Sequence, residues 1–143
     1  MDGVPNYSQP PVEPGGTFTY DFIVPDAGVF WYHPHVMSAA QVGFGLYGAF
    51  IVSDPEEDVD VSDELVVLLS DIDLSEDGIL EPADTGGTAG MAFGREGNHV
   101  LVNGKKVPAL TARSGAPQRW QVINAAKTRY FKLDLGKEHS FKK

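Results

Sequence analysis

Apolar and polar positions alternate along this chain in short runs, the period of two that marks β-strands. Residues 17–24 (TFTYDFIV) place Phe18, Tyr20, Phe22 and Val24 on one face and predict a strand. Pro25-Asp26-Ala27-Gly28 predicts a turn, with Pro presetting φ and Gly supplying the unusual dihedral. Residues 29–36 (VFWYHPHV) are β-branched and aromatic and predict a second strand. Residues 47–53 (YGAFIVS) and 64–70 (ELVVLLS) predict two more, the latter apolar enough for a buried position. The period is lost over residues 71–97, where glycines at 86, 87, 90, 94 and 97 predict a linker. Beyond it, residues 99–103 (HVLVN), a turn at Asn103-Gly104 and residues 106–112 predict a hairpin, with Pro108 pushing the second strand to an edge or bulge. Residues 118–124 (QRWQVIN) and 130–135 (YFKLDL) alternate again. No convincing helix and no internal repeat is visible. Short strands separated by Gly/Pro turns predict an all-β antiparallel sandwich or barrel.

Composition narrows the classes. A chain of 143 residues with 42% hydrophobic positions suits about one globular domain. No apolar run approaches the ~20 residues of a membrane helix, so no membrane span is expected. The first residues, Asp2-Gly3-Val4-Pro5, have neither the basic region nor the apolar stretch of a signal peptide. With no Cys, thiolate zinc sites, iron–sulfur clusters, disulfides and a cysteine nucleophile are excluded within these residues. The net charge of −9 is split: residues 1–94 carry −17 with no Lys or Arg, and residues 95–143 carry +8. That asymmetry predicts two modules that attract each other. The cations of the basic third (Lys105, Lys106, Arg113, Arg119, Lys127, Arg129, Lys132) are scattered rather than striped, so no nucleic-acid partner is expected.

The candidate chemistry lies in Trp31-Tyr32-His33-Pro34-His35-Val36. On a strand, residues i and i+2 emerge on one face, so His33 and His35 would stand side by side. Two neutral imidazoles so held can each ligate a metal ion, and imidazole suits copper, zinc and nickel. Their rings are expected to diverge, so that the pair can serve two adjacent ions instead of chelating one. Pro34 lacks a ladder donor, which places the motif at a sheet edge or end, where a site can open. The bare spacing is unspecific, and two surface or hydrogen-bonded histidines satisfy it equally well.

The surrounding residues sharpen the reading. The run Val12-Glu13-Pro14-Gly15-Gly16-Thr17-Phe18-Thr19-Tyr20, then Val24-Pro25-Asp26-Ala27-Gly28, Phe30-Trp31-Tyr32-His33-Pro34-His35 and Gly45-Leu46-Tyr47-Gly48-Ala49-Phe50-Ile51-Val52 resembles the first cupredoxin domain of multicopper oxidases, the family of laccases and bilirubin oxidases. Leu101-Val102-Asn103-Gly104, Gln118-Arg119-Trp120-Gln121-Val122-Ile123-Asn124-Ala125 and Arg129-Tyr130-Phe131 are similar to the opening of the second domain. The resemblance implies a cupredoxin-like Greek-key β-sandwich or barrel over residues 1–80, a Gly-rich connector at 81–97, and the first strands of a second such domain at 98–143. It implies copper as cofactor, and dioxygen and a small reducing substrate as partners. In the family, electrons enter singly at a type 1 copper and pass to a trinuclear cluster, held by eight histidines, that reduces dioxygen to water. It makes His33 and His35 type 3 copper ligands, one to each ion of that pair. It also implies a periplasmic or extracellular location.

The chain departs from the family pattern. The other HxH motifs and the His-Cys-His motif are absent, and the ending Glu138-His139-Ser140-Phe141-Lys142-Lys143 reads as a strand cut short. A fragment of an oxidase, inactive alone and dependent on the missing cupredoxin regions, is therefore expected. The alternatives are a cupredoxin-type scaffold without catalytic copper, or a calcium- or zinc-binding β-module. His99 and His139 match no ligand motif, and His139, in a setting that resembles a second-domain position, is expected to be core or hydrogen-bonded. Gly43-Phe44-Gly45-Leu46-Tyr47-Gly48 fits GxGxxG, but a strand rather than a helix is expected after it, so no dinucleotide site is expected. Residues 73–84 place oxygen ligands at positions 1, 3, 5 and 12 with Gly at 6, as in a calcium loop, yet Pro82 and the lack of flanking helices favour a solvated turn. The acidic run at residues 54–64 reads as a solvated loop.

Overall fold

The computed structural model describes residues 3–57, 63–82 and 85–137. Among the described residues the architecture is all-β, built from five strands in two open sheets with two short helices, and no closed barrel forms. Strands β1 (Gly28–Tyr32) and β2 (Gly48–Val52) form an antiparallel pair that registers Phe30 with Phe50 and Tyr32 with Gly48. Between them lies α1 (Ser38–Gly43). Strand β3 (Asp63–Ile72) is central in the second sheet, antiparallel to β4 (His99–Val102) and parallel to β5 (Gln118–Asn124). Helix α2 (Gly87–Phe93) lies within the Gly-rich stretch that reads as a linker.

The apolar run of β3 has the burial its sequence predicts. Val67, Leu68 and Leu69 are buried, and both edges of the strand carry ladder bonds. Leu68, Ile123 and Ala125 form a core cluster on which Tyr47, Ala49 and Ile51 pack, and the β1–β2 layer rests on the other sheet through β2 against β3 and β1 against β5. The sheet joins strands from both sides of the Gly-rich stretch. The charge asymmetry is realised in ion pairs between the two parts: Arg119 meets Glu57 and Glu64, Arg113 meets Asp63, and Arg129 meets Asp71.

Asn103 and Gly104 turn the chain with φ of 50° and 73°, as that dipeptide predicts. The Asn103 side chain then does a strand residue's work. Its Oδ1 accepts from Leu68 N at 2.8 Å, and its Nδ2 donates to Val66 O at 2.8 Å.

Three expected strands do not form. Residues 17–24 form no ladder; their apolar residues stay partly exposed, because a strand needs a neighbour and none is supplied among the described residues. Residues 106–112 do not complete a hairpin strand. Val107 adopts φ 49° and Pro108 has no donor, so the pairing stops at the Val102–Lys105 bridge. Residues 130–135 are likewise outside any ladder.

The two helices were not legible in the apolar period. Helix α1 is short but carries its own signals: Ala39, Ala40 and Gln41 favour it, and Gly45 at φ 88° ends it. Leu46 N donates to Gln41 O and Gly45 N to Val42 O, the paired bonds of a Schellman cap. This accounts for Gly45 in the GxGxxG match: the glycine run closes one helix and opens β2 at Gly48, the reverse of a dinucleotide loop.

Candidate metal centre

The pairing of β1 with β2 ends at Tyr32 and Gly48, and the motif begins one residue later. Pro34 cannot donate to a ladder, and the strand that would face it is still turning out of α1. The expected strand over residues 29–36 therefore stops at Tyr32. The period-two placement outlasts it. Trp31, His33 and His35 stack in sequence, with ring centroids 4.5 Å apart for Trp31–His33 and 4.9 Å for His33–His35.

The two imidazoles lie within 18° of parallel, which corrects the expectation that they diverge. Imidazole lone pairs lie in the ring plane, so two stacked rings offer their lone pairs in neighbouring, nearly parallel planes. Such a pair is poorly disposed to close on one ion and well disposed to serve two.

His33 is half-buried and its orientation is pinned. Its Nδ1 sits 3.1 Å from Pro34 O and 3.1 Å from Ser38 Oγ. A carbonyl oxygen only accepts, so Nδ1 carries the proton, and the lone pair is left on Nε2. The contact to Ser38 needs a chain reversal, which Met37 provides at φ 46°, ψ 45° between His35 and α1. His35 is exposed and, among the described residues, makes no hydrogen bond. No group of three or more His, Cys, Asp or Glu side chains gathers among the described residues, so the two imidazoles stand as an incomplete donor set. Their chemistry suits copper, for which neutral imidazole is a preferred ligand.

The other candidates separate from this pair. His99 lies on β4, with Nδ1 accepting from Lys106 Nζ at 3.3 Å. His139 lies outside the described residues. In the calcium-like stretch, Asp73 pairs with buried Arg95 at 3.5 Å, and Ser75 Oγ accepts from Ile79 N at 3.1 Å. The residues at positions 1 and 3 thus serve a guanidinium and a tight turn, and Asp84 lies outside the described residues. Arg95 also donates to Glu81 O and Pro82 O, closing that turn from beneath. A groove of about 490 Å³ between β2, β3 and β4, bordered by Tyr47, Leu68, Leu101 and Asn103, contains no histidine and is separate from the imidazole pair.

The profile of the multicopper oxidase family matches residues 1–57, which include the whole imidazole motif. A crystal structure of a multi-copper oxidase from Pseudomonas thermotolerans superposes with a TM-score of 0.81 at 37% identity, over 90% of this chain and 31% of that one. The chain belongs to the multicopper oxidase family. Among curated members, a laccase of Trametes hirsuta is 37% identical over 142 residues, 94% of this chain and 24% of that protein. An iron transport multicopper oxidase of Saccharomyces cerevisiae is 49% identical over 72 residues, 50% of this chain and 11% of that protein. This chain thus spans a quarter or less of the length of these two curated members and about a third of the crystallised one. Family membership implies copper as the cofactor. No helix among the described residues is long and apolar enough to cross a membrane.

Proposed function

We propose that this chain supplies His33 and His35 as one ligand pair of a type 3 copper site, in an oxidase that couples one-electron oxidations of a small reducing substrate to reduction of dioxygen to water. One observation carries the reading: two stacked imidazoles, one of them with Nδ1 against a carbonyl oxygen, which leaves Nε2 as the nitrogen open to a metal. Copper bound there would supply one-electron redox chemistry and a site for dioxygen. The chain's own contribution is geometric. His33 is held by Pro34 O and Ser38 Oγ, His35 stacks on it, and the motif sits just beyond the end of a ladder, where further ligands can approach.

Two imidazoles and no cysteine are too few for turnover, so the 143-residue chain alone is expected to bind copper weakly and to consume no oxygen. The remaining ligands would come from other cupredoxin regions. A division into a cupredoxin-like unit at residues 1–80, a connector at 81–97 and the start of a second unit at 98–143 belongs to the same proposal, with the ladders from β3 to β4 and β5 tying the parts together. A periplasmic or extracellular location follows the same analogy.

The test is copper stoichiometry and affinity of the full chain beside the His33→Ala/His35→Ala double variant, with oxygen uptake on a phenolic substrate recorded in the same samples. Copper retained by the wild type and lost in the variant is the expected result. Equal copper in both overturns the ligand assignment, and oxygen uptake by the wild type shows that the chain is not inactive alone.

A further inference from the structure

We propose that Ser38 is a positioning residue for His33, anchoring Nδ1 so that the ring, whose Nδ1–H tautomer Pro34 O sets, presents Nε2 as the metal donor, while Trp31 fixes the plane of the ring. This inference rests on the ligand assignment for His33. A free imidazole exchanges between tautomers, and only one of them presents a lone pair at a given nitrogen. At His33 two oxygens lie at 3.1 Å from Nδ1, and the carbonyl decides which way the proton points. Ser38 Oγ must then accept as well, since a hydroxyl donating to Nδ1 would require the lone pair to face Pro34 O. Pro34 O opposes the Nε2–H form, in which it would face a lone pair, whereas the Ser38 hydroxyl can donate to or accept from Nδ1; Ser38 therefore anchors the ring's orientation, and the carbonyl sets its tautomer.

The same side chain sets orientation. Ser38 opens α1, and the left-handed Met37 returns it to a ring five residues earlier. On the opposite side of the geometry, Trp31 covers a face of His33 at 4.5 Å and 28°. Rotation about the bond that joins the ring to its chain would break the Nδ1 contacts and the stack together. An electron-rich indole face also favours an imidazole that gains positive character on ligating a metal. Groups in this role tune metal affinity by about ten- to a hundredfold in other histidine sites.

Histidine-labelled full chain, studied without metal by long-range proton–nitrogen correlation NMR, reads the tautomer directly. Copper(I) affinity by competition reads its consequence. The wild type is expected to show His33 with Nδ1 protonated. Ser38→Ala is expected to keep the proton on Nδ1, where Pro34 O holds it, and to weaken copper(I) binding by about tenfold, and Ser38→Thr to restore the affinity. Alanine is a better helix former than serine, so the variant does not threaten α1. Trp31→Leu is expected to weaken binding and Trp31→Phe to recover part of it. A wild-type His33 with the proton on Nε2, or Ser38→Ala with unchanged copper(I) affinity, overturns the proposal. The His33→Ala/His35→Ala variant separates the two levels: if it binds copper as the wild type does, the ligand assignment fails. If it loses copper while Ser38→Ala is silent, only the positioning role fails.

Discussion

Met37 holds φ 46° without being glycine, an uncommon backbone state that costs on the order of 1–3 kcal/mol when the surrounding structure imposes it. Its side chain is 75% exposed, so it recovers little of that cost by packing. Its service is to the neighbours, because it turns the chain between His35 and Ser38. Met37→Gly removes the left-handed penalty but adds freedom to the unfolded chain, offsetting about 0.5–1 kcal/mol of the gain. The net expectation is stability raised by about 1 kcal/mol, read as the midpoint of urea unfolding. A lowered midpoint would mean that the methionine side chain contributes packing that its exposure conceals. The paired histidines themselves were legible at this scale, since their spacing and their Trp and Pro neighbours are local facts. Ser38 was not, because its role depends on a dihedral at Met37 that no residue type announces.

At the scale of elements, the end of β3 is the best-secured point of the fold. Asp71 Oδ2 accepts from Gly97 N at 2.7 Å and from Arg129 Nε at 3.1 Å, and Arg129 also donates to Gly97 O at 2.8 Å. Gly97 reads in sequence as one of five linker glycines, yet it is buried against the β3 backbone. A Cβ there would lie 2.5–2.6 Å from the backbone N, C and O of Ile72, and backbone cannot swing aside as a side chain can. Gly97→Ala is therefore expected to destabilise by about 2–3 kcal/mol, measured by denaturant unfolding. A change below about 0.5 kcal/mol, the usual range for surface positions, would show that the connector is not seated on β3. The strands β2, β3 and β5 were legible because alternation and β-branched runs are properties of the segment. That β3 is central, parallel to β5 and antiparallel to β4, was not, because pairing partners are chosen by packing between segments distant in sequence.

Over the whole molecule, apolar side chains remain uncovered along residues 17–32. Tyr20 is 52% exposed and Tyr32 63%, with Phe18, Phe22, Phe30 and Trp31 exposed beside them. Contiguous apolar surface of this kind marks contact with other protein or a tendency to associate. The net charge of −9 opposes association between copies, and salt screens that repulsion without weakening apolar contact. Self-association of the chain is therefore expected to increase between about 10 mM and 500 mM sodium chloride, followed by sedimentation velocity. A salt-independent monomer would mean that these side chains find cover within the chain itself.

What the sequence determined alone is what depends on near neighbours. The period of two, the Asn103-Gly104 turn, the buried run of β3 and the side-by-side imidazoles all follow from residue type and spacing. The tertiary structure decided what depends on partners. It left residues 17–24 without a ladder, set Arg95 against the first residue of the calcium-like loop, and turned the imidazoles parallel. It also selected the nitrogen of His33 that remains open. A strand, a ligand or a tautomer is completed by the group opposite it, and that group is brought there by folding.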